Sequence, residues 1–287
     1  MHAIRVVRWA ALAVTILFGV LYFGVYPYAE DSKIKQAADE LRKQYGLIVR
    51  YEDPADFFVP PLAAVDNDPK IRIERAEKSH VYAALKGIGS ALEMYPPALV
   101  RKYLTAVFLA RTLEINGVSG AAMFANSWIY VAVPARDELG IKSYELSLHH
   151  ELSSLLFFGA DFPTLRWHLV NETGFQYLDN QDDIIKAAAP SNRKDPKQAE
   201  TWHAAGFVSD YGMASMENDV NTFAELMMGD PGKLRRLCEK YPKIARKKNI
   251  MVQFYTKLAP EMSAYFNAAG LAVNSDQEPV PRNSASN

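Results

Sequence analysis

Apolar positions recur along this chain in two periods, and its first long apolar stretch shows neither. Residues 9–29 form 21 consecutive positions without a charge, apolar almost throughout. That is about the length that spans a bilayer as a helix. Arg5 and Arg8 precede the run, and Glu30 and Asp31 follow it. The positive-inside tendency therefore places residue 1 in the cytoplasm and the rest of the chain outside. The alternative is a cleaved signal peptide, whose apolar core is roughly 7–15 residues and ends at an A-x-A-like site. This run is longer, and no convincing site of that kind follows. The pattern predicts an uncleaved transmembrane anchor over 1–29, a soluble domain over 30–274 and a disordered tail over 275–287. In a Gram-negative cell this is a single-pass inner-membrane protein with a periplasmic domain.

Helical periodicity begins at residues 31–46, where Ile34, Ala37, Ala38, Leu41 and Tyr45 share a face and Gly46 suits a stop. A short strand is expected over 47–53, then a loop rich in Pro and Asp over 53–70. Residues 73–93 and 96–115 predict two helices. The second opens on Pro97 and aligns Val100, Tyr103, Leu104, Val107 and Phe108. Residues 121–134 read as a β-rich run, with Trp128, Tyr130 and Ala132 alternating against Ile129, Val131 and Val133. Pro134 suits the end of an edge strand.

A helix is expected from about 144 to 157 with Ser143 as N-cap, then a short helix and a polar loop over 161–180. An exposed excursion is expected over 189–198, and a further helix over 215–228, ended by Gly229 and Pro231. Residues 232–248 hold eight Lys or Arg and read mostly as a solvated helix face, with a membrane-surface role as the alternative. The fold class is α+β, mainly α, with a small sheet. No internal repeat is visible.

Composition narrows the chemistry. The chain has 287 residues and a net charge of -1, which gives no reason to expect a nucleic acid partner. One cysteine, Cys238, excludes an intramolecular disulfide and a Cys-rich zinc knuckle. A metal would need His and carboxylate ligands. There is no G-x-S-x-G elbow, no phosphate-cradling Gly-rich loop and no cysteine nucleophile in a motif.

The stretch 147–156, "SLHHELSSLL", comes within one residue of the H-E-x-x-H helix of zinc peptidases. In that motif two imidazoles four residues apart share a face and hold the metal. The Glu between them takes a proton from the metal's water, whose pKa falls from ~15.7 to ~7. Here His150 and Glu151 fill the first-ligand and base positions, and Ser154 stands where the second imidazole belongs. A neutral hydroxyl is a poor zinc ligand. His149 points about 100° away from His150, so it packs elsewhere or bonds a carboxylate such as Glu217. His168 and His203 each sit beside a tryptophan and read as core histidines. Downstream, Glu217, Asn221 and Glu225 are spaced four apart on one helix face. Glu217 and Asp219 also suit a helix N-terminus electrostatically, and Glu225 also suits a solvated face. Glu151 with Glu217 or Asp219 leaves a glycosidase-like pair open.

"GFVSDYG" and "ENDVNTFAE" are similar to the segment that follows the metal helix in gluzincin-type zinc metallopeptidases. "LHHELSSLL", "NETGFQY" and "ENDVN" more closely resemble a group of bacterial proteins assigned as metallopeptidases that carry H-H-E-x-S-S. The likeness covers roughly residues 80–230. It implies a zincin-like domain that hydrolyses peptide bonds, with His150 and Glu217 as zinc ligands and Glu151 as general base. Asp219 would be the carboxylate behind a ligand, with Ser154, His149 and Glu225 as further candidates around the metal. The edge strand "SWIYVAV" would then receive a peptide by strand addition. Asn218 interrupts the usual acidic pair, and Ser154 departs from the motif. The other expectation is therefore a non-catalytic envelope protein of the same fold that binds peptides or proteins along that edge.

Overall fold

A computed structural model describes residues 26–52, 71–115, 118–120, 122–133, 140–178, 183–184 and 198–273. Most of the predicted anchor, the 53–70 loop, the 189–197 part of the excursion and the tail lie outside the described residues. Among the described residues no helix is long and apolar enough to cross a membrane. Residues 26–29 open helix α1 (Tyr26–Tyr45), which runs through the predicted domain boundary without a break. The architecture is α+β and mainly helical.

Among the described residues six strands form one mixed sheet: β1 (Ile48–Arg50), β2 (Ile71–Arg75), β3 (Ala106–Ile115), β4 (Val118–Ser119), β5 (Ala122–Ala125) and β6 (Trp128–Ala132). Long β3 is the spine. It pairs parallel with β1 and β6 and antiparallel with β2 and β4. The expected helix over 96–115 is therefore wrong beyond its first turns: α3 (Pro97–Tyr103) ends where β3 begins. Val107, Phe108, Leu109 and Ala110 are all buried. A strand covered on both faces reads as a continuous apolar run, which also satisfies a helical face. The expected helix over 73–93 likewise splits. Residues 71–75 are β2, and α2 covers Lys78–Leu92.

Within the β-rich run over 121–134, residues 122–132 form a hairpin. β5 pairs antiparallel with β6, and the two-residue turn between them holds Asn126 at φ 52, a conformation that Asn tolerates. So β6 is enclosed between β3 and β5 and cannot accept a peptide. At this end of the sheet the open edge belongs to β5; β1 lies at the other end of the strand order.

One sheet face packs against the helices, where Val107, Leu109, Ile129 and Val131 join the main core. The other carries a smaller cluster of Phe108, Ala110, Leu113, Tyr130 and Ala132. The helix after β6, α4 (Gly140–Gly159), begins before the predicted Ser143 cap and is central to the helical layer. It packs against α2, α3, β5 and a later helix, α7 (Met216–Gly229). Gly87 on α2 allows the close approach: a Cβ there would stand 2.6 Å from Ile141 O and 2.8 Å from Tyr144 Cβ.

Short α5 (Thr164–His168) and α6 (Ala199–Ala205) precede α7. After it come α8 (Pro231–Lys240), α9 (Pro242–Leu258) and α10 (Met262–Ala268). Ser215 caps α7 as its sequence suggests, its hydroxyl accepting from Asn218 N at 3.0 Å. The basic stretch is not uniformly solvated: Lys247 is fully buried and Lys248 nearly so. The Lys248 ammonium donates to Ala272 O at 2.8 Å.

Candidate functional site

Helices α4 and α7 run antiparallel along their shared seam, so the four-residue spacing on each brings side chains together in register. Near one end, the Ser154 hydroxyl donates to Glu217 Oε1 at 2.6 Å and accepts from Asn221 Nδ2 at 2.7 Å. One turn along, His150 Nδ1 meets Glu225 Oε1 at 2.5 Å. An imidazole and acids separated by more than sixty residues therefore meet at one place. Glu217 and Glu225 are half-buried, Ser154 and Asn221 fully buried, and Glu151 is 7% exposed. The seam lies beside β5, where Phe124 stacks on Phe158 of α4 with ring centroids 5.5 Å apart.

A ring from the loop ahead of α7 completes the group. Tyr211 lies nearly parallel to His150, with centroids 5.9 Å apart and planes 15° apart. Gly212 lets this loop settle on α7, since a Cβ there would stand 3.1 Å from Thr222 Oγ1 and 3.3 Å from Asp219 Cα.

The charges are unbalanced. Burial works against a charged imidazole at His150, but the Glu225 hydrogen bond and charge, with Glu151 and Glu217, outweigh it and hold the group at about 9. His150 is thus a cation at neutral pH. Burial also raises the Glu151 carboxyl; His150 pulls it down, Glu217 and Glu225 push it up, and it rests at about 7. That value suits a proton acceptor working near neutrality.

Two expected participants face elsewhere. His149 is fully buried and its Nδ1 lies 2.9 Å from the Tyr95 hydroxyl, with burial pushing its pKa down. It does not bond Glu217. Asp219 points away from both histidines: its Oδ2 accepts from Lys247 Nζ at 2.5 Å, Tyr177 OH at 2.7 Å and Trp167 Nε1 at 2.8 Å. Both partners of the Asp219–Lys247 pair are fully buried, and Lys247 Nζ lies 4.1 Å from the Phe207 ring centroid. The carboxylate that holds a site imidazole is Glu225, not Asp219. His168 is exposed rather than a core residue, and His203 Nδ1 contacts Phe207 O at 2.8 Å. Neither reaches the seam. Sequence reasoning missed Tyr211, Tyr95 and Lys247, which have no spacing signature to mark them.

The seam has part of what zinc requires. A metal-binding imidazole commonly gives its second nitrogen to a carboxylate, as His150 gives Nδ1 to Glu225. A structural or catalytic zinc also needs at least three protein ligands. Among the described residues no group of three or more His, Cys, Asp or Glu is arranged to hold a metal ion. Ser154, in the second imidazole's place, is already engaged on both sides. The described residues therefore do not fit zinc as they stand.

Compared with known proteins, the chain matches no family model, no curated protein and no solved structure.

Proposed function

We propose that the α4–α7 seam is the site of a hydrolase acting on peptide bonds, with a zincin-like layout and Glu151 as general base. The anchor predicted over 1–29 would tether the domain to the cell membrane, facing outward. The observation that carries this reading is the convergence of one cationic imidazole and three carboxyl groups beside an open strand edge. Their exposure falls from the half-buried Glu217 and Glu225 to the 7% of Glu151.

The chain's own groups can carry out the reaction. Ionised Glu151 takes a proton from water, and the hydroxide oxygen bonds to the peptide carbonyl carbon. The carbonyl oxygen becomes an oxyanion, which the His150 imidazolium opposes electrostatically. The C–N bond then breaks, and the proton held on Glu151 passes to the departing amine. Glu225 keeps His150 charged and fixed. Asn221 and Ser154 hold Glu217 on its inner side. A peptide would reach the seam by pairing with the open edge of β5.

A second reading, non-catalytic peptide or protein binding along β5, is favoured by one observation. The Asn221–Ser154–Glu217 hydrogen bonds close the position that a second metal ligand would take. Turnover separates the two. The full-length chain is incubated with a mixture of unstructured peptides, with and without chelator, beside Glu151→Gln. Cleavage by wild type that Glu151→Gln abolishes supports the hydrolase. Peptide binding without cleavage, unchanged in Glu151→Gln and by chelator, supports the second reading. Metal analysis of wild type beside His150→Ala shows whether a metal contributes.

A further inference from the structure

The three carboxyl groups of the seam have more acceptors than donors to meet them. Glu225 bonds His150 through Oε1, and Glu217 bonds Ser154 through Oε1. Among the described residues, neither second oxygen has a hydrogen-bond partner, and Glu151, though only 7% exposed, has none at either oxygen. None of these oxygens is both buried and unpaired, so solvent reaches them and an arriving donor can too. No Lys or Arg among the described residues pairs with any of the three. Lys142 is taken by Glu145, Lys243 by Glu172, and Lys247 by Asp219 on the far side of α7. Among the described residues His150 is the one basic side chain bonded to any of the three carboxyl groups, so they lack a second cationic donor.

We propose that the seam recognises a primary ammonium group, the N-terminus or a lysine side chain of its peptide ligand, held against the outer oxygens of Glu217 and Glu225. This rests on reading the seam as a peptide-handling site. An ammonium matches the observed set better than a metal ion does. It carries three donors and no acceptor, and it bonds carboxylates at about 2.7–2.9 Å between heavy atoms. Zinc requires oxygens at about 2.0–2.2 Å and at least three protein ligands, and no such group is found among the described residues. The ammonium would sit at the half-buried mouth, leaving Glu151 deeper in the seam to face the neighbouring backbone. Cationic peptides would also be concentrated there by the uncompensated negative charge.

The test is calorimetric titration of the full-length wild-type chain, in chelator at pH 7, with three peptides of one apolar sequence. The first has a free N-terminus and no lysine, the second is N-acetylated, and the third is N-acetylated with one lysine. The first or the third should bind about tenfold or more tightly than the second, as expected for a desolvated charge-assisted contact. Which of them does so identifies the source of the ammonium. In Glu217→Gln/Glu225→Gln, shown by its melting transition to be folded, that preference should disappear while binding of the second peptide persists. Equal binding of all three by wild type, a preference that appears only when metal is added, or a preference that survives in the double variant overturns the proposal. Mass analysis of the same mixtures reports cleavage separately, so an inactive chain that still selects the ammonium would sink the hydrolase and not this inference.

Discussion

Removing the carboxylate of Glu225 should turn His150 from a cation into an ordinary or depressed imidazole. Glu225 is the chief influence raising His150 to about 9, against burial that lowers it. In Glu225→Gln the hydrogen-bonding shape is kept but the charge is lost. Glu151 and Glu217 still act on His150, but its pKa should fall by about 2–3 units, to near the free value of ~6.5. The same shift bears on stability. A histidine raised from the unfolded value of ~6.5 to about 9 stabilises the fold fully below ~6.5, and the contribution is lost as pH rises through 9. At ~1.4 kcal/mol per unit the pair contributes about 3 kcal/mol at pH 6. Relief of Glu151, which Glu225 also pushes up, offsets part of the loss, leaving about 2–3 kcal/mol for the variant. At pH 10 the difference should shrink below about 1 kcal/mol, the scale of a neutral hydrogen bond. Imidazole NMR titration reads the pKa, and urea unfolding at the two pH values reads the stability. A wild-type His150 titrating near 6.5, or a loss in Glu225→Gln of the same size at pH 6 and pH 10, would refute the reasoning.

Other perturbations follow from the geometry. Lys247→Met should destabilise by about 3–5 kcal/mol, because it strands Asp219 in the core, whereas Asp219→Leu/Lys247→Met should cost less than that single change; urea unfolding compares them. Gly87→Ala should lower the melting temperature although alanine favours helices, since its Cβ would stand 2.6 Å from Ile141 O; a more stable variant would contradict the α2–α4 approach. Asn221→Leu should cost about 1–3 kcal/mol by removing the donor that fixes Ser154, read in the same unfolding assay, with a smaller effect from Ser154→Ala/Asn221→Leu.

The helices that build the site were legible because they are amphipathic over several turns and punctuated at their ends. Ser215, Gly229 and Pro231 marked α7 to within a residue. The four-residue spacing of Glu217, Asn221 and Glu225 showed that they share a face. It did not show which partner each would meet. Antiparallel packing decides that, setting Glu225 against His150 and Glu217 against Ser154. β3 was misread because burial on both faces erases the alternation that marks a strand, and Val107 and Phe108 then fall on a helical stripe as readily. Lys247 was lost in a run of basic residues most of which are exposed. Only its place opposite Asp219 and the Phe207 ring draws it inside. Tyr211 reaches His150 because Gly212 allows a close loop, a dependence on tertiary contact that no periodicity records.

The pH dependence of peptide cleavage tests the central claim most directly. If Glu151 is the base, kcat/KM for the wild-type chain should rise with pH through an inflection near 7, following its carboxyl. Glu225→Gln lets His150 lose its charge, and that charge lowers Glu151 more than Glu225 raises it, so the inflection should shift to higher pH. A rate that is flat from pH 5 to 8, or an inflection unmoved by Glu225→Gln, would contradict the account.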